Sequence, residues 1–309
     1  MTDTAPTPIV SRIKISTIAA ADLAPVENWY GDWLGYKVCE RGKISSALAN
    51  SWGTSNMAER PYILMQPESG EDVFIRAVNI DPITSYKPMT SLGWNAFELI
   101  IDDVYALNKV MEKSPFEIIG PPKPLEGDLN FIHAMQVIGP ANDVLYLTCD
   151  TTREPGSLLP VPSSSVGRTF IVILAGTGVD VTQAYYSNKF GMVREDDFDT
   201  PIGVIARAQG LPEDHIYPMG FMSLAKPGNF IEFDGYDSSF GARPQTKGQL
   251  PPGNALVSFS ISNLDDLNLD FISSPATEET MAYSGSRTAT FIGPAGELTE
   301  VIEENIGDT

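Results

Sequence analysis

The chain contains its own pattern twice. RTFIVILAGTGVDVTQAYYSNKFGMV at 168–193 repeats the order of IKISTIAAADLAPVENWYGDWLGYKV at 13–38. Leu34-Gly35 falls on Phe190-Gly191 at an offset of 156, and Gly139-Pro140-Ala141 falls on Gly293-Pro294-Ala295 at an offset of 154. Two independent motifs at nearly one offset mark a duplication, which constrains the fold more than any single element does. Each half is itself double: GWNAFELIIDDVYALNKVMEKSPFEII at 93–119 reads, like 13–38, as strand, Asp cap, helix, strand. The expected fold class is therefore α+β, with four βαβββ units. Residues 10–150 hold two of them and 167–305 the other two. The stretch between, TTREPGSLLPVPSSSV at 151–166, lacks periodicity and reads as a linker.

Local signals support this division. Asp22 is placed to accept the orphan amides of a first helical turn. Val26, Trp29, Tyr30 and Trp33 follow at helical spacing, and Gly35 stands where that helix must stop. The apolar runs flanking PESGED predict a hairpin over 62–78, and 131–149 predicts another. In the second half, 219–237 matches the first hairpin, 254–272 matches 95–113, and 287–304 matches 133–150. LPEDHIYPMGF at 211–221 reads as a long insertion over a cavity mouth, with Tyr217, Met219 and Phe221 set to touch an apolar ligand. Tyr185-Tyr186 and Trp29-Tyr30 fit helix core positions.

A net charge of −20 repels phosphate backbones and anionic lipid, so neither nucleic acid nor a membrane surface is an expected partner. No apolar run reaches the roughly 18–20 residues of a membrane span, and no basic-then-apolar leader opens the sequence. Cys39 and Cys149 lie in strand-like stretches and read as buried free thiols. The expectation is a soluble cytoplasmic protein. AGTGVD at 175–180 lacks the lysine and spacing of a P-loop, and there is no G-x-S-x-G elbow.

The motifs resemble those of the vicinal oxygen chelate superfamily, the glyoxalase, bleomycin-resistance and extradiol-dioxygenase proteins. Its opening helix is matched by Asp22-Leu23, Trp29-Tyr30, Asp32 and Leu34-Gly35-Tyr36. Its closing turn and strand are matched by Gly293-Pro294-Ala295-Gly296-Glu297-Leu298-Thr299-Glu300-Val301, and Pro227-Gly228-Asn229-Phe230-Ile231-Glu232-Phe233 fits the third unit. The resemblance covers nearly the whole chain. It implies paired units curled into open cups that bind small molecules, and it allows a homodimer.

In metal-dependent members the resemblance implies ligands seven residues before the capping position and in the closing strand. The first kind falls here on Ile15, Ala96, Ile171 and Leu256, none of which binds metal. The second falls on Phe74, Tyr146, Glu232 and Glu300. A two-His, one-carboxylate iron site would need both histidines, His133 and His215, which lie in different halves. The dioxygenase reading is therefore rejected, with neither metal nor other cofactor expected. An oxygen-only site on Glu232 and Glu300 stands as the metal alternative.

Two acid/base sets remain. The resemblance places Glu232 and Glu300 across one cup, with walls from Ile171, Ile173, Leu256 and Phe259. Paired carboxyls in an apolar cavity split into an acid and a base. In the N-terminal half, Glu98 shares a strand face with Ala96, and Tyr146 and His133 could complete a proton-transfer set. The bland alternative for each is a buried polar group satisfied by its neighbours. The expected function is a metal-independent isomerase or lyase acting on a small, largely apolar aromatic or carbonyl compound. A non-catalytic binding and sequestering protein is one alternative, and a divalent-metal enzyme with a rearranged carboxylate site is another.

Overall fold

The structure is a computed structural model that describes residues 8–152 and 157–304. Residues 153–156 of the expected linker, and the start of the N-terminal stretch read for a leader, lie outside the described residues.

The four units appear in order. The first has β1 (Val10–Ala20), α1 (Leu23–Leu34), β2 (Lys37–Lys43), a short helix α2 (Ser46–Ser51), β3 (Pro61–Gln66) and β4 (Phe74–Asn79). The second has β5 (Gly93–Ile101), α3 (Val104–Met111), β6 (Glu117–Pro124), β7 (Ile132–Ile138) and β8 (Val144–Asp150). The third has β9 (Val166–Gly176), α4 (Val179–Phe190), β10 (Val193–Arg194), β11 (Phe198–Pro201), α5 (Gly203–Gln209), β12 (Ile216–Ser223) and β13 (Phe230–Gly235). The fourth has β14 (Gly253–Ile261), β15 (Ala276–Thr277), β16 (Arg287–Ile292) and β17 (Leu298–Glu303).

The helix ends follow the sequence signals. Asp22 accepts from the Ala24 amide at 3.0 Å, and Gly35 closes α1 at φ 72. Gly191 closes α4 in the same way at φ 64. Asp22→Ala is expected to cost about 1 kcal/mol, read as a lower urea midpoint at unchanged slope. The helix expected in the fourth unit is absent. Asn263 caps a single 3-10 turn at Leu264–Asp266. Asp265, Asp266, Asn268 and Asp270 compete for backbone hydrogen bonds there, and Pro275 lies just beyond. The structure adds α2 and α5, which the hydrophobic periodicity did not announce. They occupy equivalent places in units one and three.

The strands form two sheets. One runs β15-β16-β17-β14-β1-β4-β3-β2, and the other β10-β12-β13-β9-β5-β8-β7-β6, with β11 also against β12. β1 pairs antiparallel with β14, and β5 with β9. Unit one is thus joined to unit four, and unit two to unit three. The boundary at 151–166 divides the chain but not the sheets, because each sheet takes one unit from each half. We call the sheet of units one and four the outer cup, and that of units two and three the inner cup.

Alternation along the strands separates three cores. The largest joins one face of each sheet to the helices: Val26, Tyr30 and Leu34 of α1, Tyr186 and Phe190 of α4, and Phe97, Val172, Val257 and Phe259 of the central strands. Phe259 therefore points away from the cups, not into a wall. The other two cores fill the concave faces. Ile15, Phe74 and Leu256 pack with Leu48, Ala49 and Trp52 in the outer cup. Ala96, Tyr146, Ile171 and Ile173 pack with Val204, Ile205 and Ala206 in the inner cup.

The duplication also shows in two buried bonds. The Tyr30 hydroxyl donates to Asp143 at 2.5 Å, and the Tyr186 hydroxyl to Glu297 at 2.8 Å. Each carboxylate also accepts an amide from its own turn, Ala141 or Ala295. These bonds tie the leading helix of each half to that half's last hairpin, although the sheets run between halves.

Candidate functional site in the inner cup

The register of the closing strands identifies equivalent positions in all four units. The paired residues are Thr17 with Arg76, Glu98 with Tyr146, Ile173 with Glu232, and Ser258 with Glu300. The first member of each pair lies five residues before the capping position. The closing-strand position of unit one is therefore Arg76 and not Phe74. Residues i and i+2 share a strand face, so alternation alone could not separate the two.

Glu232 and Glu300 do not share a cup. Glu300 lies in the outer cup with Arg76, and Glu232 in the inner cup with Tyr146 and Glu98. The expectation that the two glutamates face each other fails because the units pair across the halves. The oxygen-only metal site built on both fails with it.

The outer cup is electrically complete. Glu300 is fully buried and accepts from Trp52 Nε1 at 2.9 Å, Ser258 Oγ at 2.5 Å and the Tyr283 hydroxyl at 2.8 Å. Arg76 Nη2 lies 3.8 Å from Glu300. Its guanidinium donates to Tyr283 and Thr17 and stacks 4.6 Å from the Trp52 ring centroid. Every polar atom of the Arg76–Glu300 pair thus has a partner of the right kind. Leu256 belongs to this cup as packing.

The inner cup is the opposite. Glu98, Glu232 and Asp234 are buried on one concave face, at 6%, 7% and 1% exposure. None of the three has an ion pair among the described residues. Burial pushes Glu98 up to about 7, against the Thr148 hydroxyl beside it. Burial pushes Asp234 up to about 7 as well, with the Glu98 charge adding to the shift and the Glu232 carboxyl opposing it. Glu232 is raised well above the carboxylate range by burial first, then by the charges of Asp234 and Glu98. No protein donor reaches either oxygen of Asp234, so a proton carried by Glu232 is what the Glu232–Asp234 contact needs. Burial and these three carboxyls also keep the Tyr146 hydroxyl protonated.

The walls come from Ile171 and Ile173 on β9, Tyr217 and Phe221 on β12, and Tyr236. Phe221 lies across the ladder from Glu232 and stacks on Phe198 at 6.1 Å. Tyr217 is not in a loop: it sits in β12, buried, and its hydroxyl donates to Gln209 at 2.9 Å. Helix α5 lies over the cup. Beside it opens a groove of about 460 Å³, lined by Met89, Ile118, Ile119, Val204 and Arg207 among others.

His133 is not part of the site. It alternates with Ala134 and Gln136, and so lies on the helix side of β7, where it bonds Tyr105 at 2.8 Å. His215 is exposed at the rim, its ring 4.8 Å from that of Tyr217. Asp234 escaped the sequence reading although it stands two residues after Glu232 in FIEFDG. Arg76 likewise stands two after Phe74 in FIRAV.

The metal that the resemblance implies finds no fit. The positions seven before the caps carry no donor, the closing positions give each cup one carboxylate, and the outer one is already ion-paired with Arg76 and bonded by Trp52, Ser258 and Tyr283. Among the described residues no group of three or more His, Cys, Asp or Glu is arranged to hold a metal ion, and no helix is long and apolar enough to cross a membrane. Cys39 is half-buried and Cys149 buried.

No protein-family model matches the sequence, and no curated protein matches it. Solved structures do match. Glyoxalase I from Zea mays aligns over 94% of this chain and 92% of its own at 14% identity, with a TM-score of 0.63. A Bacillus subtilis protein proposed to be a dioxygenase aligns over 96% and 86% at 12% identity, with a TM-score of 0.58. At these identities the likeness is one of fold.

Proposed function

We propose that this chain, which has the tandem fold of glyoxalase I and the wider glyoxalase, bleomycin-resistance and dioxygenase proteins, works at its inner cup as a metal-independent acid/base catalyst. The reaction class is isomerisation or elimination on a small, largely apolar aromatic or carbonyl compound. The observation that carries this reading is three carboxyls, Glu98, Glu232 and Asp234, buried on one concave face with no ion pair among the described residues, a setting that raises all three, Glu98 to about 7. A carboxyl poised near the working pH is the most efficient proton carrier there.

In this reading Glu98 takes a proton from a carbon next to the carbonyl, and Glu232 gives its proton to the carbonyl oxygen. The enol then collapses as Glu98 returns its proton to a second carbon and Glu232 recovers the proton on oxygen, so both groups end as they began. Tyr146, held protonated, donates a hydrogen bond to the substrate oxygen. Ile171, Ile173, Tyr217 and Phe221 exclude water. Glu300 and His133 take no part.

The test is turnover with a panel of enolisable carbonyl compounds. Glu98→Gln and Glu232→Gln are each expected to lower kcat at least a hundredfold, and kcat/KM of the unaltered chain should rise with pH through about 7. Unchanged turnover in both variants would overturn the assignment. A second reading, sequestration without chemistry, is favoured by the way α5 closes the cup. It is supported if the chain retains a ligand and never turns it over.

A further inference from the structure

We infer that the ligand of the inner cup carries an organic cation, an ammonium, amidinium or guanidinium group on an aromatic or apolar body. This rests on the inner cup being the ligand site, and not on its being catalytic.

The argument begins with the register. The position filled by Arg76 in the outer cup is filled by Tyr146 in the inner one. In the outer cup the chain's own guanidinium meets the buried carboxylate and stacks on an aromatic ring. In the inner cup the carboxylates remain and the cation does not. Three carboxyls stand there where one stands in the outer cup, and Arg207, on the covering helix, points outward to the Ile119 carbonyl and Glu213.

A second observation concerns donors. Among the described residues five buried oxygens in and around the cup have no partner: both of Asp234, Oε1 of Gln136, Oδ1 of Asn95 and the Thr148 hydroxyl. Gln136 lies across the ladder from Tyr146, and the Asn95 amide donates to the Tyr236 hydroxyl. Each side chain is more than nine-tenths buried, and an unmatched buried acceptor costs about 1–3 kcal/mol. Four of the five can only accept, and the Thr148 hydroxyl beside Glu98 offers a single O–H. What the chamber lacks is N–H groups and positive charge. Tyr146, Tyr217, Tyr236 and Phe221 pack in the same core, and aromatic rings attract cations. A metal ion would bring charge, but the carboxyls are not arranged to ligate one.

The titratable groups facing the chamber are Glu98 on β5, Tyr146 on β8, Tyr217 on β12, and Glu232, Asp234 and Tyr236 on and just after β13; α5 adds none. Burial favours the protonated carboxyls, so an entering cation must displace protons. Its affinity should rise with pH through about 7.

The experiment is calorimetric titration of the full chain with benzylammonium and benzamidinium, against benzyl alcohol and benzamide, in two buffers of different ionisation heat. The cations are expected to bind at least tenfold more tightly than their neutral isosteres and to release about one proton each at pH 7. Glu232→Gln with Asp234→Asn should lower cation affinity at least tenfold. Tyr146→Arg should supply the missing charge from within, abolish cation binding and raise the melting temperature. Equal binding of cations and isosteres would overturn the inference. So would Mn2+ or Zn2+ binding that these variants abolish while the organic cations do not bind, or no cation binding together with an unchanged melting temperature in Tyr146→Arg. Cation binding without turnover would sink the catalytic proposal and leave this one standing. Turnover of neutral carbonyl compounds with no preference for cations would do the reverse.

Discussion

Replacing Arg76 with Met is expected to destabilise the chain by about 3–5 kcal/mol, the range for breaking a buried ion pair by removing one partner. Glu300 would then stand fully buried without its countercharge, although Trp52, Ser258 and Tyr283 would still donate to it. Trp52 would lose the guanidinium stacked on it. For a chain of this size the loss corresponds to a fall in melting temperature of roughly 5–8 °C, readable by circular dichroism. The double variant Arg76→Met, Glu300→Gln should recover more than half of the loss, because it removes the stranded charge as well. A loss below about 1 kcal/mol in the single variant would show that the outer cup does not depend on this pair. No variant of the outer cup is expected to alter proton release in the inner one.

The inner cup should make stability fall as pH rises, the reverse of a protein held by salt-bridged carboxylates. Glu98 and Asp234 are raised to about 7, so the folded chain binds more protons than the unfolded one between about pH 4.5 and 7. Stability is greatest below the unfolded value and is lost as pH climbs through the folded one. The shift of Glu98 alone corresponds to roughly 3 kcal/mol. Glu297, also near 7, and Asp143, raised by burial, act with the same sign. Denaturant titrations at intervals from pH 4.5 to 8.5 should therefore show a steady decline in the unaltered chain. Glu98→Gln and Asp234→Asn should each flatten that decline and gain stability at pH 8. A flat or rising profile in the unaltered chain would mean that these carboxyls are hydrated and that the chamber is not dry.

Much of the fold was legible because the signals were local. Asp22, Gly35 and the hairpin turns act within a few residues, and their repetition at one offset exposed the four units. The pairing of units was not local. Strands β1 and β5 offer the same alternating edge, as do β9 and β14, and the sequence pattern is satisfied whichever partners they take. That one ambiguity misplaced Glu300 beside Glu232; His133 faces away from the cup for a local reason, its alternation with Ala134 and Gln136 on β7. Glu98 stands out because a glutamate in AFELII has to be explained, and Tyr146 because it stands at a closing-strand position. Asp234 and Arg76 were missed although each lies one alternation from a residue that was weighed. The helices α2 and α5 carry too few residues to show a helical period. Only their packing into the cups reveals what they do.

The exchange of units between halves has a consequence for how two such different cups came to stand in one molecule. Consider the halves as identical separate chains associating by the same strand pairs. Each would lend its first unit to one cup and its second to the other, so any substitution would appear in both cups at once. An arginine that neutralised one would neutralise its twin. Joined in a single chain, the four units can change one at a time: Arg76 alters only the cup it shares with Glu300, and Asp234 only the cup it shares with Glu98. Covalent linkage thereby converts an enforced symmetry into two independent cups, one free to become permanent scaffold while the other keeps its carboxyls without a countercharge.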